Sequence, residues 1–229
     1  MATPLRGICS MATRGLLDEL AAAHAQRIGV SVSFLAVGGV DAARRVSDGE
    51  HFDVVALASD AIDKLIAAGK LDAAGKVDIV RSGVGVAVPA GAQRPDVSTG
   101  DAVRTAVRAA ASIAYSTGPS GVALIALFER WGMADELRDR LVLAPPGVPV
   151  GSLVARGDAA LGFQQMSELI GVEGIELLGP LPPEIQIVTT FSAAPAIGSE
   201  QPDAVRALLD FMVSAGSVES KRRHGMEPA

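Results

Sequence analysis

Several short segments rich in Ser, Thr and Gly stand where an apolar strand gives way to a helix. The fullest is Tyr115-Ser116-Thr117-Gly118-Pro119-Ser120-Gly121. Gly118 and Gly121 let the backbone come close to a ligand. Ser116, Thr117 and Ser120 supply hydroxyls, and the helix start supplies N–H groups with no intrahelical partner. Together they read as an anion cradle. No Lys-Ser/Thr pair follows the glycines, so this is not a Walker-type phosphate loop. The same residue types also serve as plain helix caps.

Three further junctions repeat the theme: Ser10-Met11-Ala12-Thr13, Val37-Gly38-Gly39-Val40-Asp41, and Pro145-Pro146-Gly147-Val148-Pro149-Val150-Gly151-Ser152. In open α/β sheets ligands sit beyond the carboxyl ends of the strands. Several helix starts meeting there hold an anion without a full positive charge. Gln164 and Gln165, ending an apolar strand, offer two amides that donate to a ligand oxygen, fix a hinge, or face water. Arg14 is a carboxylate partner or a solvated helix arginine.

Covalent chemistry has weaker support. Ser10, Ser116, Ser120 and Cys9 are the available nucleophiles, but none lies in a Gly-x-Ser-x-Gly elbow. His51 and His224 are distant bases, or a strand opener and a helix C-terminal cap. The three histidines and one cysteine are scattered, so neither a disulfide nor a metal site is expected, and no cofactor is implied.

Positioning these loops requires alternating strands and helices, and the pattern provides them. Strands are expected over residues 5–9, 30–36, 52–57, 83–88, 112–115, 141–143, 160–164, 175–178 and 185–191. Helices are expected over 12–27, 41–48, 60–68, 101–110, 121–131, 151–156, 167–170, 203–213 and 218–224. Asp60 reads as a helix N-cap. Strands separated by helices imply crossovers and a mostly parallel sheet covered on both faces.

The whole chain fits this picture. Its 229 residues are 49% hydrophobic, 20% charged and 3% aromatic, so the core is aliphatic and disorder is excluded. A net charge of −6 without a basic block argues against nucleic acid. No apolar run reaches membrane-spanning length, so no membrane insertion is expected. No secretory leader is legible at the start, which points to the cytoplasm, or to the periplasm if a leader has been removed.

In order along the chain, these segments resemble the type II periplasmic binding protein superfamily. The likeness is greatest to its molybdate-binding and broader bacterial extracellular solute-binding branch. It is carried by Ser10-Met11-Ala12-Thr13, by residues 38–44, by the Asp53-to-Asp60 stretch, by residues 82–89 and 160–165, and by Lys221-Arg222-Arg223-His224-Gly225. The resemblance implies an α/β, two-lobed fold, each lobe a mixed, mostly parallel sheet flanked by helices. Lobe one is expected over 1–83 and 190–229, and lobe two over 84–189, with a small anion between them.

By position, Ser10 resembles the first oxyanion-binding serine, with Met11 beside it. Gly38 and Gly39 stand at the second serine's loop, Ser120 and Gly121 at a backbone contact, Val148 and Pro149 near a fourth. Gln165 stands where molybdate binders keep a tyrosine. Pro149 has no N–H to donate. The extra hydroxyls of Ser116 and Thr117 and the amides of Gln164 and Gln165 suit an organic carboxylate better than a tetrahedral oxyanion. The implied function is anion binding, with an ABC permease as partner if a leader is missing. The alternatives are an isomerase or lyase of an organic acid, with Cys9 as acid or base, and a sensing module.

Overall fold

The structure, a computed structural model, describes residues 3–229. The elements run β1 (Leu5–Ser10), α1 (Arg14–Ile28), β2 (Val32–Val37), α2 (Gly39–Ser47), β3 (Val54–Ala58), α3 (Ser59–Ala67) and β4 (Val77–Pro89). Then come α4 (Gly100–Ala109), β5 (Ile113–Tyr115), α5 (Pro119–Arg130), α6 (Ala134–Leu137), β6 (Leu141–Leu143), α7 (Val150–Ala155), β7 (Leu161–Gln165), α8 (Met166–Leu169) and β8 (Ile175–Pro180). The chain closes with β9 (Val188–Pro195), α9 (Pro202–Val213), α10 (Val218–Arg223) and β10 (Met226–Pro228). It divides into two compact units: one runs to Arg81 and resumes over Thr190–Ala229, the other is Ser82–Thr189. The passages between them fall inside β4 and inside β9.

In the first unit β1 pairs in parallel with β2 and with β3, and β3 pairs antiparallel with β9. Side chains alternate across the sheet as a two-residue period requires. Leu5 and Cys9 face Leu16, Leu20, Val205 and Leu208 of α1 and α9, while Ile8, Val55 and Leu57 face Ala42, Val46, Ile62 and Leu65 of α2 and α3. Each such buried aliphatic side chain contributes roughly 1.5–3 kcal/mol against solvent exposure. Thus a chain poor in aromatics still builds two apolar layers.

In the second unit β5 pairs in parallel with β6 and β7, and β4 pairs antiparallel with β7 and β8. Val84, Val86, Ile113, Leu161 and Phe163 pack with Leu124, Leu127 and Phe128 of α5. On the other face Ala114 meets Val150, Leu153 and Val154 of α7.

Several elements and caps differ from those the sequence pattern predicts. β4 begins at Val77, not at residue 83, because Asp78 and Arg81 find distant partners: Ser192 Oγ donates to Asp78 at 2.6 Å and Arg81 donates to the Pro228 carbonyl at 3.3 Å. β9 begins at Val188 because Pro183–Ile185 forms a 3₁₀ turn. α6 and β10 were not expected. Asp60 lies within the first turn of α3, whose N-cap is Ala58. His51 precedes β3 without opening it, whereas His224 does cap α10. Among the described residues no helix is long and apolar enough to cross a membrane.

Candidate functional site

In the first unit the parallel register sets Ser10 beside Val37 and Cys9 beside Ala36 and Ala56. The carboxyl ends of β1, β2 and β3 therefore share one edge. Ser10 ends β1 in extended conformation, and its carbonyl accepts from Thr13 Oγ1 at 3.2 Å. Its own Oγ is buried and, among the described residues, has no hydrogen-bond partner. Gly39, at the start of α2, is the neighbour: a Cβ there would lie 3.9 Å from Ser10 Cβ, and one on Gly38 would meet nothing within 4 Å. A buried hydroxyl thus stands beside the start of a nine-residue helix, where Gly38 leaves open space. The free N–H groups of that first turn favour negative charge. Met11, partly buried, opens the short turn after Ser10.

In the second unit Tyr115 is level with Leu143 and Phe163. One step beyond stand Ser116 and Gln164. Ser116 Oγ and Ser120 Oγ are 3.4 Å apart, Ser120 is buried, and Thr117 is exposed. α5 is capped by Gly118 without a side-chain bond, so none of the three hydroxyls serves as its cap. Gly121 lies against the Ser116 backbone. Tyr115, Ser116 and Thr117 also line a groove of about 440 Å³ with Val122, Ile125 and Leu143 as apolar walls.

Pro149 is the N-cap of α7. The two glutamines diverge, as adjacent strand residues must. Gln164 Oε1 accepts from the Gly151 N–H at 3.4 Å, and its Nε2 donates to Glu168 Oε1 at 2.8 Å. Gln165 is buried: its oxygen accepts from Thr189 Oγ1 at 2.8 Å and its NH₂ donates to Ser82 Oγ at 2.8 Å. It ties together the two ends of its unit. Both amides already have partners within the protein.

Glu168 escaped the sequence reading. Burial pushes its carboxyl up to about 7, and the Gln164 bond opposes that rise only in part. One signal was legible: no Lys, Arg or His occurs between Arg156 and Arg206, so a carboxylate folded inward there lacks a cation in its own stretch.

Other candidates lie elsewhere. The Cys9 thiol is buried and pushed up to about 12, mainly by desolvation, which removes it as an acid or base near neutrality. Arg14 is exposed and faces Asp18 at 3.7 Å. His24 is buried against Phe211. Among the described residues no three His, Cys, Asp or Glu side chains are grouped to hold a metal.

This arrangement of two α/β units, each with hydroxyls and helix starts at the carboxyl edge of its parallel strands, is that of the type II periplasmic binding proteins. The family model for bacterial extracellular solute-binding protein matches residues 5–227, and the chain belongs to that family. It is similar to the Azotobacter vinelandii periplasmic molybdate-binding protein: TM-score 0.80, 20% identity, covering 98% of this chain and 99% of that one. The sulfate-binding protein of Mycobacterium tuberculosis H37Rv gives a TM-score of 0.79 at 18% identity, over 100% and 88% of the two chains. A Pseudomonas protein named aconitate isomerase is 36% identical over 232 residues, spanning 99% of this chain and 88% of that one.

Proposed function

We propose that the protein binds a small organic polycarboxylate and interconverts its isomers, with aconitate as the substrate class. The observation that carries the binding is the Ser10 hydroxyl, buried without a partner among the described residues next to the start of α2, where Gly38 leaves open space. An unpaired buried hydroxyl costs free energy unless a ligand completes it. The Ser116–Ser120 pair at the start of α5 supports the same chemistry in the second unit. Both sets are neutral dipoles, which suit negative charge held away from water.

Substrate class follows from two considerations. Gly39 in place of a serine and Pro149 without an N–H leave gaps that a compact tetrahedral oxyanion would fill poorly. The isomerase relative acts on an unsaturated tricarboxylic acid, judged by its name, and matches this chain almost end to end.

A second reading, transport, is favoured by the family itself: the protein delivers an anion to an ABC permease and does no chemistry. One experiment separates the two. Proton NMR of trans-aconitate with the purified protein should show the cis isomer growing to a constant ratio. Tight binding without conversion would establish the transport reading. Failure to bind either isomer by calorimetric titration would overturn the polycarboxylate assignment.

A further inference from the structure

We propose that Glu168 is the group that carries the proton in this isomerisation, with Gln164 as its positioning residue; the assignment rests on the aconitate reading above. The geometry comes first. Glu168 lies in α8, directly after β7, at the edge where the carboxyl ends of the parallel strands β5, β6 and β7 meet. Gln164, level with the Ser116 step of β5, fixes one carboxyl oxygen at 2.8 Å and is itself held by the Gly151 N–H in the first turn of α7. Ser167, the adjacent residue, has a buried Oγ without a partner among the described residues. A carboxyl, a buried hydroxyl without a partner among the described residues and the Ser116–Ser120 pair thus belong to the segments that follow β7 and β5 at one edge of the second unit.

The electrostatics fit a carrier. β7 and α7, packed on α8, contain no titratable residue. β4, which meets α8 at Gly85, carries Asp78 and Arg81 toward its other end, bonded to Ser192 and the Pro228 carbonyl, and Glu176 of β8 is paired with Arg94 at 2.6 Å. Burial, opposed in part by the Gln164 bond, sets its proton affinity near neutrality. A carboxyl that is partly protonated at pH 7 can both accept and return a proton. It also tolerates a polyanionic neighbour better than a fully ionised one.

The chemistry balances without a further reactant. In aconitate a methylene adjoins the double bond and bears a carboxylate. The methylene C–H breaks, its proton forms an O–H bond on Glu168, and the electron pair spreads over the three-carbon allyl unit. The bond from the central carbon to the former methylene gains double-bond character, and the torsion held there as the proton leaves sets whether the product is cis or trans. The Glu168 O–H then breaks and its proton forms a C–H bond at the opposite carbon. The double bond has moved by one position, the constitution is unchanged, cis and trans have exchanged, and Glu168 is ionised again.

The test uses Glu168→Gln, which keeps the side-chain shape and a partner for Gln164. Isomerisation of trans-aconitate should fall by about 100-fold to 10,000-fold, while calorimetric affinity for trans-aconitate stays within a few-fold. In wild type the pH dependence of kcat should bend near 7. Glu168→Asp should retain part of the rate and displace that bend. A Glu168→Gln enzyme within threefold of wild type, or a wild-type kcat flat from about pH 5 to 9, overturns the assignment and leaves the isomerase reading standing. Should Glu168→Gln fail to fold, the bend and its displacement in Glu168→Asp decide alone. A wild type that binds aconitate and never converts it sinks the isomerase reading, and this role with it.

Discussion

Gly121 lies so close beneath Ser116 that a Cβ built on it would sit 1.8 Å from the Ser116 carbonyl oxygen. The contact is backbone on backbone, so no rotamer change relieves it. It folds the Ser116–Ser120 loop back over the first turn of α5. Gly121→Ala should destabilise the protein by about 1–3 kcal/mol and lower Tm by roughly 2–10 °C. It should also weaken trans-aconitate binding, because the loop must move. Gly118→Ala is the control. A Cβ there meets only Ser116 Oγ, at 3.8 Å, and its φ of −77° suits any residue. Thermal melts and calorimetry of the pair check the claim, and equal behaviour would refute it.

Ser10→Ala separates ligand binding from folding. Among the described residues the hydroxyl makes no hydrogen bond, so its removal loses no partner there. Tm should stay within a degree or two, or rise slightly, since an unpaired buried group is itself unfavourable. Affinity for trans-aconitate should fall about tenfold to a hundredfold, the effect of about 1–3 kcal/mol from one buried donor. A stable variant with wild-type affinity would show that Ser10 faces no ligand.

How far the sequence speaks depends on where each residue's partners are. The alternation of strands and helices in residues 5–67 was legible because the apolar periods are local. The early half of β4 was not. Asp78 and Arg81 interrupt the apolar run, and their partners, Ser192 and the Pro228 carbonyl, lie over a hundred positions away. The junction loops could be recognised by composition. Gln164 and Gln165 could be picked out but not told apart, since their roles follow from which face of β7 each occupies. Glu168 looks like any surface glutamate; its proton affinity comes from burial, a tertiary property.

The α1–α10 contact should appear as an acid-sensitive contribution to stability. Glu19 accepts from Ser220 Oγ at 2.6 Å, from Arg223, and lies 2.9 Å from His224 Nε2. The Ser220 bond, aided by Arg223 and His224, holds its carboxyl down at about 2. A depressed carboxyl stabilises the fold above its unfolded value near 4.5, and that contribution disappears as pH falls toward 2. Glu19 is 36% exposed, so solvent reduces the effect to about 0.5–1 kcal/mol. Glu19→Gln should therefore lower Tm by roughly 1–4 °C at pH 7, with the two melting curves converging near pH 2. A gap that persists undiminished in acid would assign the loss to packing.

Glu168 imposes the opposite pH dependence. Its folded value, about 7, lies above the ordinary 4.5, so the folded state holds a proton that the unfolded state releases between those limits. The stability linked to that proton is complete below about pH 4.5 and is lost as pH rises through 7. Glu168→Gln keeps a neutral side chain at every pH. Its melting temperature should match wild type at pH 4.5 and exceed it at pH 8. The gap should correspond to at most about 3 kcal/mol, or several degrees. The same substitution that stabilises the protein in mild alkali is the one expected to abolish isomerisation, so lost activity there cannot be ascribed to unfolding. A variant less stable than wild type at pH 8 would mean that the carboxylate is held by contacts beyond Gln164, and that its proton affinity is not set by burial.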